Sequence, residues 1–295
     1  MAALELRPLS LGELLDRTFF LYRRHFLLFV GIAGIPYLFV LVPALLGLIL
    51  YGITGHTRPP SSGLGTGVVT GMAAILIILI IVIVVLFIIA ALYSAGAAVF
   101  AVSEIYAGRQ PSIRGSFRMV RGKAGTIIGV MLLSGLILMG GFIALIIPGL
   151  YLLCRIPVAM PAAMIEDIGP GDSIGRSFHL TRDFAGRAAL IYILAVSLTY
   201  GVGFLLQAPF FVLAAVSAKG SQLMILWTAL AQVGNLLGGI LVAPVHTIGF
   251  ALFYYDLRVR KEAFDLQMMM QAIGADPAPP PITGGTPPVF GRDAS

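Results

Sequence analysis

Apolar residues run along this chain in blocks too long for a soluble fold, separated by short charged segments. A hydrocarbon core about 30 Å thick is crossed by roughly 20 residues of apolar helix; several blocks exceed that length, and six crossings are read from the chain. The first runs from Phe26 to about Leu50; Pro36 and Pro43 would kink it, which a membrane helix tolerates when neighbours re-satisfy the freed carbonyls. A Gly, Ser and Pro-rich loop from Thr54 to Gly67 leads to an uncharged block, Val68 to Val102, longer than one crossing needs and too short for two. It predicts one long, tilted helix bent near Ser94 and Gly96. Ala124 to Ile147 ends at Pro148-Gly149 and is followed at once by Tyr151 to Ile165, which predicts a tight hairpin with almost no outer loop. Ala188 to Val216 and Gln222 to Tyr255, joined by Ser217 to Ser221, make the last pair.

The fold class expected is therefore all-α: an integral membrane protein with six transmembrane helices over about 26–50, 68–102, 124–147, 149–165, 188–216 and 222–255. Residues 1–25 precede this 26–256 domain as an interfacial helix. After it, 257–273 continue as a charged helix in which Arg258 can pair with Glu262. From 274 to 295 the chain is Pro, Gly and Thr-rich without an apolar period, and the expectation is a disordered tail. The first apolar run lacks a clear small-residue cleavage site and reads as a retained helix rather than a signal peptide.

Self-comparison exposes an internal repeat. Pro111 to Thr126 aligned without gaps on Asp172 to Arg187 gives seven identities in 16 columns, among them Ser116 with Ser177, Phe117 with Phe178 and Arg121 with Arg182. The segment R-T-F-F-L-Y-R (Arg17 to Arg23) follows the same pattern more weakly. On a helix, Leu15, Phe19, Tyr22 and Phe26 share one face, as do Ile113, Phe117, Val120 and Ala124, with Arg23, Arg121 and Arg182 at the edge of the stripe. That is the pattern of a short interfacial helix whose arginines reach for phosphates. Glu104, Glu166 and Asp256 stand where each return helix re-emerges. Three parallel two-helix repeats, each opened by a short amphipathic helix, are the expected arrangement.

Charge sets the orientation. Charged residues are 11% of the chain against about 25% in soluble domains. With the amino terminus inside, segments 1–25, 103–123, 166–187 and 256–295 hold 16 of the 19 basic residues, and the outer loops hold only Arg58 and Lys219. By the positive-inside rule both termini are cytoplasmic. The net charge of +6 then reads as contact with anionic headgroups of the bilayer, not with nucleic acid, because no basic soluble domain is present. The rim residues expected to form ion pairs or headgroup contacts are Arg17, Arg23, Glu104, Arg121, Glu166, Arg176, Arg182, Asp256 and Arg258. The single cysteine, Cys154, lies in an apolar run and reads as a packing residue.

Few residues carry candidate chemistry. Arg155 is the one basic residue deep in a crossing, where a charge costs about 2.5 kcal/mol or more unless paired; it either snorkels outward or serves a pore or ligand. Gln232, Asn235 and His246 share a helical face expected to point inward, away from lipid. Gly234 and Gly238 form a GxxxG pair suited to close packing. The four histidines are scattered, HExxH and GxSxG are missing, and no cofactor or metal set is expected. Glu166 and Asp167 read as counter-ions to Arg176 or Arg182.

Four segments, L-S-L-G-E-L-L-D near the start, I-I-P-G-L-Y-L (Ile146 to Leu152), Glu166 with G-R-S-F-H-L-T-R (Gly175 to Arg182), and Y-Y-D-L-R-V-R-K-E-A-F-D-L (Tyr254 to Leu266), resemble the bacterial family known as the glycerophosphoryl diester phosphodiesterase membrane domain. The resemblance covers Leu6 to about Gln267. It implies a multi-pass protein of the bacterial inner membrane; the phosphodiesterase activity in that family's name implies a separate soluble domain, which these residues do not supply. The expected role is a non-enzymatic module in envelope or lipid-related organisation. The alternatives are a transporter or channel for an amphiphile, lined by Arg155 and the polar face of the sixth crossing, and more remotely an intramembrane lipid enzyme.

Reporter fusions test the orientation. Alkaline phosphatase joined after Arg58 or Lys219 should be active, and joined after Pro111 or at the carboxyl terminus inactive; activity after Pro111 would overturn the six-crossing count.

Overall fold

The computed structural model describes residues 8–54, 66–218 and 221–262. Arg58, Lys219, the helical segment expected beyond Glu262 and the tail from 274 lie outside the described residues. Every element described is a helix: α1 (Leu11–Arg24), α2 (Phe26–Thr54), α3 (Thr66–Tyr106), α4 (Ile113–Arg121), α5 (Ala124–Ala144), α6 (Ile146–Arg155), α7 (Ala159–Ile165), α8 (Pro170–Thr181), α9 (Ala185–Val216) and α10 (Gln222–Glu262). Six stretches are long and apolar enough to cross a membrane: Phe26–Ala44, Ile77–Tyr106, Ala124–Ala144, Ile146–Ile165, Ala185–Val216 and Gln222–Glu262.

The short helices begin on sequence signals. Ser10 caps α1 in a reciprocal box, its Oγ accepting from the Glu13 N–H at 3.2 Å while the Glu13 carboxylate accepts from the Ser10 N–H at 2.7 Å. Ser112 caps α4 through the Gly115 N–H at 3.1 Å. Pro170 opens α8, where its missing N–H costs nothing.

The fourth apolar block departs from expectation. The chain reverses at a single extended residue, Leu145, and Pro148-Gly149 fall inside the first turn of α6 rather than forming the turn. A one-residue turn forces α5 and α6 together: a Cβ at Gly141 would lie 3.1 Å from the Gly149 Cα, and one at Gly149 would lie 2.5 Å from the Phe142 ring, so a side chain at either would displace its neighbours. The return helix is also broken. Pro157 has no N–H to give the Leu153 carbonyl, the ladder slips to a tighter bond from Ala159 N–H to Ile156 oxygen at 2.9 Å, and α7 starts afresh.

Each short helix lies on the flank of a long one: α1 on α10, α4 on α3, and α8 on α5 and α7. The faces they bury follow the phenylalanine stripe only in part: Val120 of the stripe is buried and Tyr22 and Phe117 pack partly buried against the core, but the most buried line lies to one side of it. Leu14, Thr18 and Leu21 are buried on α1, Ser116 and Val120 on α4, and Ser173, Ser177 and Leu180 on α8. Phe19, Phe20 and Phe26 are 37%, 58% and 40% exposed. The stripe is turned by about one residue because the small hydroxyl of the repeat, Thr18, Ser116 or Ser177, is what permits close approach; Thr18 sits beside Gly249, and Val120 fills the space at Gly96.

Burial is concentrated at the charged end of the bundle. Ala97 to Val102 of α3, Val158 to Met164 around α7 and Ile248 to Leu257 of α10 make one core with Leu14, Phe29, Val120 and Leu180. Toward the other end the three hairpins α2/α3, α5/α6 and α9/α10 expose apolar side chains, from Ile77 to Ile89 and at Ile143 to Ile147. The α9/α10 hairpin stays tight through its glycines: a Cβ at Gly234 would come 2.6 Å from the Leu206 carbonyl oxygen, and one at Gly238 2.8 Å from the Gly203 Cα. Gly234→Ala should therefore lower stability in detergent by about 1–3 kcal/mol, read as a thermal shift. Gly201→Ala, with open space at its Cβ, should leave the melt unchanged or raise it.

Candidate functional site

Helices α7, α8 and α10 meet where their charged ends converge. Glu166, the residue closing α7, accepts a two-pronged pair of bonds from Arg176 of α8, Nε at 2.9 Å and Nη2 at 2.9 Å. Arg176 also donates to Glu262 at 2.7 Å, Glu262 accepts from Arg258 at 3.0 Å, and the Tyr254 hydroxyl donates to Glu166 at 2.5 Å. Two guanidiniums thus face two carboxylates, and the cluster is neutral. Burial alone would pull the Arg176 guanidinium down, but its bonds to Glu262 and Glu166 outweigh that and hold it above its ordinary value.

A second cluster joins the chain's first described residues to its last helix. Asp256, whose side chain is wholly buried, accepts from the Leu9 N–H at 2.7 Å, from Arg187 at 3.0 Å and from Arg260 at 3.0 Å. The Leu9 carbonyl accepts from the same two arginines, at 2.7 Å and 2.5 Å. Each polar group of the Leu9 backbone is matched. Beside it Arg17 faces the Tyr106 hydroxyl, and Tyr106 stacks on Tyr255 at 4.8 Å.

Arg155 forms a third knot. It is 8% exposed and turns toward the charged end rather than snorkelling outward. Its Nη2 donates to the Phe178 carbonyl at 2.6 Å and its Nη1 to the Arg182 carbonyl at 3.3 Å and the Tyr151 hydroxyl at 3.2 Å. These two carbonyls end α8, where the helix dipole is negative. The Arg155 carbonyl, left without its helical partner by the break at Pro157, accepts from Ser177 at 2.7 Å and Thr181 at 3.2 Å. One residue therefore caps a helix with its side chain and is itself capped through its backbone. Its Nε is buried without a partner.

The remaining candidates are dispersed. His246 is half-buried among aromatic rings, 5.7 Å from Tyr192 and 4.8 Å from Phe250. Gln232 and Asn235, expected on an inward face, are exposed on α10 because the glycine face turns toward α9 instead. Arg155 belongs to the α8 knot and is not brought together with them. Glu104 pairs with the exposed Arg109 at 2.9 Å. Arg23, Arg121 and Arg182 are exposed. Asp167 pairs with Lys123 at 2.8 Å, not with Arg176 or Arg182. Asp183 is held below the ordinary carboxylate range by its hydrogen bond to Lys261. Among the described residues no group of three or more His, Cys, Asp or Glu side chains could hold a metal.

Sequence reading missed Arg187, Arg260 and Tyr254 as members of these clusters. Asp256 and Arg260 stand four apart on a helix, a legible signal; nothing local points to Arg187. No family model, curated protein or solved structure matches the chain.

The clusters predict a graded response. Glu166→Gln should cost about 2 kcal/mol in detergent, since charge-assisted bonds to a largely buried partner are lost. Glu104→Gln, at the exposed pair, should cost at most about 1 kcal/mol. Equal melting shifts for the two would contradict the burial argument.

Proposed function

We propose that this chain is a multi-pass membrane module without a catalytic centre of its own, serving lipid or envelope organisation from the inner membrane of a bacterium, with both termini cytoplasmic. The observation that carries the reading is how the described interior charges are matched. Arg155 is taken up by the end of α8, Asp256 by Leu9, Arg187 and Arg260, and Glu166 by Arg176 and Tyr254. A carrier site needs polar groups that face a substrate, and these face each other. The exposed apolar sides of α3, α5, α6 and α9 fit a hydrocarbon surround. The resemblance to the phosphodiesterase-associated membrane family points the same way.

The three-unit arrangement is part of this reading. Each unit is a short helix followed by an outward and a return span: α1 with α2 and α3, α4 with α5 and α6/α7, α8 with α9 and α10. Helix α4 rests on α3, α8 on α5 and α7, and α1 on α10, so each short helix touches the return span of another unit. This contact order supports an arrangement of units related by rotation about the membrane normal.

Transport of an amphiphile is the second reading, favoured by one observation, the exposure of the Gln232 and Asn235 amides on an otherwise apolar helix. Complementation of a deletion strain separates the two. With the protein at normal level, Gln232→Leu, Asn235→Leu and His246→Leu should each restore the wild-type envelope phenotype. Loss of complementation by any of them would favour the transport route and reject the module.

A further inference from the structure

The cations at the charged end divide by their partners. Arg176, Arg187, Arg258, Arg260, Lys123 and Lys261 are each matched to a carboxylate. Helix α4 differs. Its sequence, I-R-G-S-F-R-M-V-R, contains no acid, and among the described residues Arg114, Arg118 and Arg121 have no ion pair. Spaced four and three apart, the three arginines fall within an arc of about 60°. Ser116 and Val120, the buried positions, lie on the opposite side.

A plain solvated face is the bland account of such a stripe, and the placement of α4 argues against it. Val120 packs at Gly96, ten residues inside the end of α3 at Tyr106, and Ile113 packs at Gly31, five residues inside the start of α2 at Phe26. The helix therefore lies along the side of the bundle and not beneath it. A face opposite its buried side looks outward in the plane of the spans, toward whatever surrounds them. Local energetics add a second argument: Arg114 sits in the first turn, where the helix dipole disfavours a cation, and Arg114 and Arg118 are like charges four apart. A bound anion relieves both. Ile113 and Met119, 37% and 53% exposed, flank the stripe with apolar surface.

We propose that α4 is a docking surface for anionic phospholipids, with Arg114, Arg118 and Arg121 holding headgroup phosphates and Ile113 and Met119 meeting the upper acyl chains. Seven residues of helix separate the outer two arginines by about 10 Å, room for two neighbouring headgroups. The proposal rests on the membrane reading above and deepens it, locating the expected headgroup contact on one helix and extending it from Arg121 to Arg114 and Arg118.

The test offers phosphatidylglycerol or phosphatidylcholine to the delipidated full-length protein in detergent, at physiological salt, and counts bound lipid by native mass spectrometry. Wild type should retain phosphatidylglycerol in preference to phosphatidylcholine. Arg114→Gln, Arg118→Gln and Arg121→Gln should weaken that retention by about five-fold each, and the triple variant most of all, with an unchanged melting temperature. Arg109→Gln, at a residue off α4 that pairs with Glu104, should bind as wild type. Equal retention by wild type and the triple variant would overturn the proposal. So would displacement of the lipid by millimolar inorganic phosphate, or by stoichiometric polyglutamate standing in for an acidic protein. A wild-type chain that stayed soluble without detergent and bound neither lipid would instead sink the membrane reading itself.

Discussion

A carboxylate with no exposed surface holds the chain together. Asp256 lies near the end of α10, and its three bonds reach the backbone just before α1 and an arginine from α9 as well as one from its own helix. A buried charge of this kind is tolerated only when every lone pair finds a donor, because the energy of leaving one bare exceeds what a single contact returns. The requirement places Leu9 against α10, which in turn lays α1 along that helix. Arg155 follows this rule in part, with the opposite sign: carbonyl dipoles at a helix terminus take its two terminal nitrogens, while its Nε stays buried without a partner.

The coarse architecture was legible in sequence because the signal is large. An apolar block of more than 20 residues has no soluble alternative; five such blocks and a shorter one, 149–165, correspond to the six stretches long and apolar enough to cross a membrane. Finer features depended on contacts that a linear pattern does not contain. Phe19 and Phe117 dominate a hydrophobic plot, which places the apolar stripe on them; Val120 of that stripe is buried, but Thr18 and Ser116 beside it are buried more deeply than the phenylalanines, since interhelical distance is limited by side-chain size as much as by polarity. The turn was expected at Pro148-Gly149 from the usual behaviour of that dipeptide. It formed three residues earlier, where Leu145 could adopt an extended backbone and bring Gly141 against Gly149.

The site residues divide in the same way. Arg258 with Glu262 was readable as a helical pair, and Glu166 with Arg176 stand only ten residues apart, across the short link between α7 and α8. The partners of Arg155 were hidden because they are main-chain oxygens, which carry no residue identity for a sequence to display. Gln232 and Asn235 were assigned inward on the general cost of amides in lipid; the tight glycine seam with α9 took precedence and rotated them out.

The spans are unequal in length. At 21 residues α5 measures about 32 Å, whereas α3 and α10, at 41 residues each, approach 60 Å. A leaflet pair of ordinary thickness matches the first when upright and the others only if they lean steeply or project beyond it. In a bilayer, lipid around the Leu145 tip and lipid beside α3 would meet apolar walls of different height, and the film would have to thin or thicken locally to match both.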